Sequence, residues 1–144
     1  MIYGVGLDLQ YIPQIEESIQ RQQELFLNRV YTQQEIAYCR KHRKAGQHYA
    51  AKWAAKEAFS KALGTGISKG IRLLDIETVH LESGQPHIVL YRRALEICEQ
   101  HNLKVFVSIS HSGDYAAAQV VLGYGRDAMD SVKNTNGLRT EAEC

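Results

Sequence analysis

The sequence of 144 residues predicts a single domain of the α+β class. One long alanine-rich segment without a helix breaker predicts a central helix, and several short apolar segments between turn residues predict strands. These strands follow one another as hairpins instead of alternating regularly with helices, which favours α+β over a parallel α/β fold. Hydrophobic residues make up 44% of the chain and charged residues 23%, a composition typical of globular domains.

The N-terminal part of the chain predicts one strand and one helix. Residues 2–9 are apolar and contain Gly4 and Gly6, which suits a strand that runs into a polar turn. Pro13 fits the first turn of a helix that continues to about Glu24.

Two further helices are predicted around a basic stretch. Thr32 and Glu35 have the T-x-x-E spacing of a capping box, so a helix begins after Thr32, and we expect Gly46 to end it. Residues 47–63 are rich in alanine and lysine and form the clearest predicted helix. The glycine-rich segment 64–70 predicts a flexible loop.

The second half of the chain predicts two hairpins around a short helix. Residues 73–81 and 87–91 are strands joined by the turn ESGQP. Residues 92–101 form the helix, and residues 104–110 and 115–122 are strands joined by HSGD.

The C-terminal segment is polar and loses hydrophobic periodicity. We therefore divide the chain into a domain of residues 1–123 and a tail of residues 124–144. The tail is expected to be mobile and outside the fold.

Charge and cysteine content exclude several classes of function. The formal net charge is +1, so the chain lacks the overall basic field of nucleic-acid-binding proteins. No apolar run approaches the roughly 20 residues of a membrane span, and no signal peptide is evident. The three cysteines are far apart and lack metal-ligand spacing. These features predict a reduced, cytoplasmic protein without a membrane or nucleic-acid partner.

The first candidate site residue is Asp8 in the segment GVGLDL. The two glycines permit another backbone to approach closely, and the carboxylate emerges where the predicted strand ends. A turn or capping role would also explain an aspartate here. Asp8 alone therefore does not establish a site.

The second candidate is Glu57 in the segment AAKWAAKEAFSKALGTG. Trp53, Glu57 and Lys61 are spaced by four residues and share one helix face. A solvated Glu57–Lys61 pair is the simplest interpretation, although the surrounding alanines would let a neighbouring element bring the carboxylate into an interior seam. The lysines Lys52, Lys56 and Lys61, followed by GTG, also suit a polyphosphate ligand.

The third candidate is His111 in the segment VFVSISHSGDYAAAQVV. Val107, Ile109 and His111 lie on one face of the predicted strand, which places the imidazole at the mouth of the core. A structural role remains the alternative. Together, two carboxylates, a histidine, lysines and hydroxyls from distant segments suit metal-assisted phosphoryl chemistry.

Four segments in this order resemble the holo-acyl-carrier-protein synthases: GVGLDL, FLNRVYTQQE, WAAKEAFSKALGTGI and SISHSGDYAAAQVVL. These enzymes are the small, single-repeat 4′-phosphopantetheinyl transferases, and the similarity spans residues 1–122. The resemblance implies a small antiparallel sheet with the long helix packed on it. It also implies transfer of the 4′-phosphopantetheine group of coenzyme A to a serine of an apo acyl carrier protein, releasing 3′,5′-ADP, in fatty acid biosynthesis.

The resemblance also implies the catalytic set Asp8, Glu57 and His111, with Asp8 and Glu57 as ligands of Mg²⁺. Magnesium prefers hard oxygen ligands and is often bound by one or two carboxylates together with substrate phosphates. The group that accepts the serine proton stays open between Glu57, a metal-bound water and His111.

Contacts with coenzyme A are implied for five residues of the resembling segments. The ammonium group of Lys61 would meet the phosphates, and His111 would line the site near the nucleotide phosphates. Lys52, Ser112 and Gly64 complete the implied set.

Two positions depart from the family pattern. Gln14 stands where an arginine commonly pairs with acidic residues of the carrier protein. Lys52 stands where arginine is common, and lysine keeps the charge but loses bidentate phosphate contact. Arg21 and Arg29 could still meet an acidic carrier protein, with ordinary surface solvation as the alternative.

The resemblance further implies a homotrimer with each active site at a subunit boundary. Three other functions stay open. The chain could be a transferase that serves polyketide or peptide synthase carriers, a non-catalytic module that binds coenzyme A or a nucleotide, or a metal-dependent phosphohydrolase.

Overall fold

The computed structural model describes residues 1–65 and 70–125. Its elements, in chain order, are β1 (Ile2–Tyr11), α1 (Ile12–Gln22), α2 (Glu24–Val30), α3 (Gln33–Arg40), α4 (Ala45–Leu63), a 3₁₀ turn (Leu73–Asp75), β2 (Ile76–His80), β3 (Pro86–Leu90), α5 (Arg92–Gln100), β4 (Leu103–Ser112) and β5 (Tyr115–Tyr124). This arrangement confirms the predicted α+β class.

Two antiparallel sheets form the β part of the fold. The larger sheet has the strand order β1-β5-β4, and β2 pairs with β3 as a separate two-stranded hairpin. In the larger sheet, Asp8 of β1 lies opposite Ala118 of β5, which in turn lies opposite Ile109 of β4. The long helix α4 packs on the inner face of this sheet, against β1 and β5.

Two glycines of β1 make this packing close. A Cβ atom added to Gly4 or Gly6 would fall within 3.0 Å of a backbone carbonyl oxygen of α4, that of Ala62 or Ala58 respectively. Any larger residue would therefore push β1 away from α4. Asp8 is the next inward-facing residue of β1, so the same contact fixes its carboxylate beside α4.

A buried ion pair connects α3, α4 and β2. The Lys56 ammonium group donates to Glu35 Oε1 at 2.8 Å, and both side chains are fully buried. Glu35 Oε1 also accepts from the backbone N–H of Thr32 at 3.0 Å, which completes the predicted capping box of α3. Its other oxygen, Oε2, accepts from the backbone N–H of Thr78 at 3.1 Å.

The predicted helix boundaries are wrong at two places. The helix expected to continue to Glu24 ends at Gln22, because Gln23 adopts a positive φ of 52°, and the unpredicted helix α2 begins at Glu24. The helix expected to run through the basic stretch to Gly46 already ends at Arg40. Gly46 lies instead in the first turn of α4, where it leaves room for the Glu16 side chain.

Several predicted strand ends also differ from the structure. β1 continues to Tyr11, so Asp8 lies within the strand and not at its end. β4 continues to Ser112, so His111 and Ser112 belong to the strand and not to the turn. Leu73–Asp75 is a 3₁₀ turn, so the strand expected from residue 73 starts at Ile76. β5 continues to Tyr124, which pairs with Leu103 and extends the ordered strand into the segment predicted to be tail.

Two predictions concern residues outside the described ranges. The expected loop 64–70 is described only at its ends, and residues 126–144 of the predicted tail are not described. Within residues 1–65 and 70–125, no helix has the length and apolar character needed to cross a membrane.

The outer face of the larger sheet, opposite α4, is apolar and exposed. Val5, Leu7 and Leu9 of β1 expose 51%, 63% and 64% of their surfaces, although they belong to a regular strand. Further exposed large side chains on the three strands are those of Tyr3, Tyr11, Phe106 and Tyr115. We call these seven residues the outer sheet face.

Candidate active site

Asp8 lies where β1 passes the C-terminal half of α4. Its side chain is only 14% exposed, and its Oδ1 accepts a hydrogen bond from the Lys61 ammonium group at 3.0 Å. Within the described part of the chain, its Oδ2 is buried and has no hydrogen-bond partner. A buried carboxylate oxygen without a partner is costly, so this atom marks a position suited to a cation or a donor.

Glu57 lies on α4, one helical turn before Lys61, and its carboxylate is close enough to Asp8 for their charges to interact. Burial raises the pKa of the Glu57 carboxyl, the negative charge of Asp8 raises it further, and Lys61 opposes the rise. The solvated Glu57–Lys61 pair considered from sequence is therefore not the arrangement seen, because Lys61 pairs with Asp8.

These two carboxylates fit a magnesium ion. Asp8 offers an unpartnered buried oxygen, and Glu57 supplies a second hard oxygen donor of like charge. Among the residues with described positions, no group of three or more His, Cys, Asp or Glu side chains is placed to hold a metal. Mg²⁺ commonly takes one or two carboxylates and leaves positions for phosphate and water, so the two carboxylates Asp8 and Glu57 are compatible with this ion.

Lys61 is the cation of this site. Its ammonium group donates to Asp8 Oδ1 and to the backbone oxygen of Leu7, each at 3.0 Å. Its side chain is 51% exposed, so it can reach both the carboxylate and an incoming ligand. Gly64 ends α4 one turn later in the left-handed conformation, with φ of 81°, and an added Cβ would meet open space.

Lys52 and Lys56 do not share this position. The Lys52 ammonium group is buried, lies 3.0 Å from His80 Nε2 and 3.4 Å from the Thr78 carbonyl oxygen, and sits over the Tyr38 ring. Burial lowers the pKa of Lys52. The expectation that all three lysines of α4 meet a polyphosphate is wrong for Lys56, which is held by Glu35. A phosphate contact by Lys52 stays a prediction and would require its ammonium group to leave these partners.

His111 and Ser112 lie at the exposed end of β4, away from Asp8. His111 is opposite Ala116, whereas Asp8 is opposite Ala118, and β5 separates the two strands. The backbones of Asp8 and His111 are therefore two strand spacings apart, which is roughly 10 Å or more. Within one chain, the structure therefore brings together Asp8, Glu57 and Lys61 but not His111.

The charge of His111 acts instead on His48, which belongs to a cluster of basic groups that the sequence did not reveal. His42 stacks on His48 with ring centroids 3.9 Å apart, and His80 stacks on Tyr38 at 4.1 Å. Burial lowers the pKa of His48 to about 4, and the neighbouring positive groups His42, Lys52, His111 and His80 lower it further. The basic groups come from α4, β2, β4 and the turn after α3, so no local sequence pattern could have indicated the cluster.

The comparisons with known proteins agree on one family. The model of the 4′-phosphopantetheinyl transferase superfamily matches residues 4–120. A holo-[acyl-carrier-protein] synthase of Geobacter sp. (strain M21) is 44% identical over 123 residues, which cover 85% of this chain and 98% of that protein. The chain belongs to the 4′-phosphopantetheinyl transferase superfamily.

Solved structures lead to the same assignment. The holo-[acyl-carrier-protein] synthase of Neisseria meningitidis has a TM-score of 0.78 and 32% identity, and the match covers 85% of this chain and 99% of that one. The Bacillus anthracis enzyme, in complex with CoA (3′,5′-ADP), has a TM-score of 0.73 and 34% identity, covering 87% and 99%. Both relatives confirm the fold and the resemblance found in the four sequence segments.

Proposed function

We propose that this chain transfers the 4′-phosphopantetheine group of coenzyme A to a serine of an apo acyl carrier protein and releases 3′,5′-ADP. The observation that carries the proposal is the pair of facing carboxylates Asp8 and Glu57, which lies within the segment matched by the family model. The names of the relatives, holo-[acyl-carrier-protein] synthases, state the same activity for those proteins.

The reaction is a phosphoryl transfer in which the chain itself supplies no nucleophile. The serine oxygen of the carrier protein forms a bond to the phosphorus on the pantetheine side of the pyrophosphate. The bond from that phosphorus to the bridging oxygen breaks, and 3′,5′-ADP leaves with the bridging oxygen and the bonding electron pair. The serine proton passes to a base. Catalysis of this kind depends mainly on positioning and on neutralising phosphate charge.

Asp8 and Glu57 are the residues that would hold Mg²⁺. The bound ion would supply Lewis acidity and positive charge toward the pyrophosphate oxygens. Lys61 would donate hydrogen bonds to the same phosphates from the exposed side of α4, since half of its side chain is accessible. Gly4 and Gly6 set the distance between β1 and α4 and so hold the two carboxylates together.

Within one chain, the serine proton could pass to Glu57, which lies beside Asp8, or to a water molecule in the site. His111 lies too far from Asp8 within the same chain, so it could accept a proton only in a site shared with a neighbouring copy.

We extend the proposal to a homotrimer with shared sites, in which copies pack through the outer sheet face. Leaving this face in water would expose several large apolar side chains close together, which is uncommon in monomeric proteins.

The proposed carrier protein is acidic and docks on the side of the chain that carries α1 and α2. Arg21 and Arg29 are exposed there, and Arg29 donates to Gln22 Oε1 at 3.1 Å, which orients its guanidinium group.

The proposed location is the cytoplasm, since Cys39 and Cys98 are free, buried thiols.

Mass spectrometry of intact carrier protein tests this function directly. Apo acyl carrier protein from a fatty acid system, incubated with coenzyme A, Mg²⁺ and the chain, should gain the mass of one phosphopantetheine group. The Asp8→Ala variant serves as the control and should leave the carrier protein in its apo form. No mass gain with the unmodified chain, on this carrier or on a peptide synthase carrier domain, would refute the proposed activity.

A further inference from the structure

The ammonium group of Lys61 lies in a small oxygen-lined position on β1. Its two acceptors are a carboxylate oxygen of Asp8 and the backbone carbonyl oxygen of Leu7, each 3.0 Å away. A carboxylate and a carbonyl are hard oxygen donors, the ligand class that divalent cations such as Mg²⁺ select. The lysine thus holds Oδ1 of the carboxylate whose unpartnered Oδ2 is proposed for the metal, and a metal that takes both oxygens competes with it.

We propose that Lys61 acts as a built-in counterion that holds Asp8 before the metal binds and is displaced from it when the metal arrives. This inference rests on the proposed function, because it concerns the same magnesium site. The displaced ammonium group would then be free to bind the phosphates of coenzyme A. Lys61 is in this view a positioning residue for Asp8 and a phosphate ligand in succession.

The charges of the site favour such an exchange. Asp8, Glu57 and Lys61 together carry −1, so the pair of like-charged carboxylates is partly neutralised while no metal is bound. A divalent ion brings the combined charge of Asp8, Glu57 and the ion to zero, so Lys61 loses its net attraction to the carboxylates and is attracted instead to a polyphosphate. The exchange brings a new cation to the phosphates only when the metal is in place.

The contacts of Lys61 also allow it to leave. Its side chain is 51% exposed, and ion pairs at such positions contribute little to stability. Lys56, five residues earlier on α4, offers the opposite case: its ammonium group is completely buried and bonded to Glu35 and to two backbone carbonyl oxygens. The same residue type on one helix therefore provides a mobile cation and a fixed one.

The first experiment measures the affinity for Mn²⁺, used as a probe for Mg²⁺, by electron paramagnetic resonance on the full chain without coenzyme A. Lys61→Gln removes the competing cation and should tighten Mn²⁺ binding about two- to fivefold, the size expected for an exposed ion pair. Lys41→Gln, which removes an exposed lysine in the turn after α3, is the matched control for net charge and should leave the affinity unchanged. Equal affinities for the unmodified chain and Lys61→Gln would overturn the proposal, as would equal tightening in both variants.

The second experiment tests displacement itself. The Nζ resonance of ¹⁵N-labelled Lys61, observed through its side-chain protons, should move on saturation with Mg²⁺ toward its position in Asp8→Asn. The Nζ resonance of Lys56 is the internal control and should stay in place. A Lys61 resonance that remains as in the metal-free protein would show that the lysine stays on Asp8 and would refute the exchange. If the unmodified chain transfers phosphopantetheine but these results fail, only this inference is wrong; if it does not transfer, the proposed function itself fails.

Discussion

Replacing Lys56 by methionine should destabilise the fold far more than the same change at Lys61. Lys56 donates to Glu35 at 2.8 Å and to the carbonyl oxygen of Leu73 at 2.9 Å, with the carbonyl oxygen of Ile76 as a third acceptor. Methionine has a similar length but no donor. The substitution therefore leaves a buried carboxylate without its counterion, rather than creating a large cavity.

The magnitude follows from the burial of the pair. Both side chains are completely buried, and removing one partner of such a pair typically costs about 3–5 kcal/mol. Glu35 would keep the N–H groups of Thr32 and Thr78, which favours the lower part of this range. Lys61→Met breaks a pair with a half-exposed lysine, and we expect a loss of about 1 kcal/mol or less.

Urea-induced unfolding at one fixed protein concentration measures both variants against the unmodified chain. A fixed concentration is needed because association of copies would add to the apparent stability. The expected result is a large shift of the midpoint for Lys56→Met and a small one for Lys61→Met. Glu35→Gln should also lower the free energy of unfolding. The double variant with Lys56→Met and Glu35→Gln should lose less free energy of unfolding than the sum of the two single variants. Equal stability losses at Lys56 and Lys61 would refute this account of the buried pair.

Four further predictions address the site, the assembly and the pH response. Asp8→Ala and Glu57→Ala should each reduce the transfer rate at least about a hundredfold at saturating Mg²⁺, and near-normal turnover by either variant would contradict the metal assignment. Leu9→Glu should convert the proposed trimer to a smaller species in light scattering, because Leu9 is 64% exposed on the outer sheet face, and an unchanged mass would rule out that interface. The pKa of His48 is about 4 in the folded protein and near 6.5 in the unfolded chain. Between these pH values only the unfolded chain takes up a proton at His48, so the stability present above pH 6.5 is lost as the pH falls toward 4. His48→Gln should therefore flatten the loss of the thermal midpoint between these pH values, and an unchanged pH profile would count against the cluster. Gln14→Arg should lower KM for the carrier protein about two- to fivefold at low salt with kcat unchanged, and this gain should vanish as salt is added; a KM that does not fall places Gln14 outside the docking surface.

Much of the architecture could be predicted because its signals are local. Turn residues and short apolar segments located the hairpins, and the T-x-x-E spacing predicted the capping box that Thr32 and Glu35 form. Gly4 and Gly6 indicated close backbone approach, which the contact of β1 with α4 confirms. The break at Gln23 escaped prediction, because a positive φ at a residue other than glycine is set by the packing of α1 and α2 rather than by the residue itself.

The basic cluster could not be predicted for a different reason. His42, His48 and His80 are separated in sequence, and only the packing of α3, α4 and β2 brings their rings together. The burial of Lys52 is equally non-local, since lysine is almost never fully buried and its carbonyl acceptor at Thr78 lies on another element. From sequence alone a lysine is expected to be exposed to solvent, but in this fold Lys52 and Lys56 are both buried.

The geometry of α4 explains why one short segment carries two kinds of lysine. Successive residues of a helix are separated by about 100° around its axis, so residues four apart lie within about 40° of each other. Lys52 and Lys56 therefore share one face, which is turned toward α3 and β2 and is completely buried. Glu57 and Lys61 share a second face, about 100° farther round, which meets β1 at Asp8. The segment KWAAKEAFSK thus contains two interior lysines, Lys52 and Lys56, and one half-exposed lysine, Lys61, at the proposed phosphate site. The charge of a lysine in this segment says nothing about its role, whereas its spacing from Glu57 does.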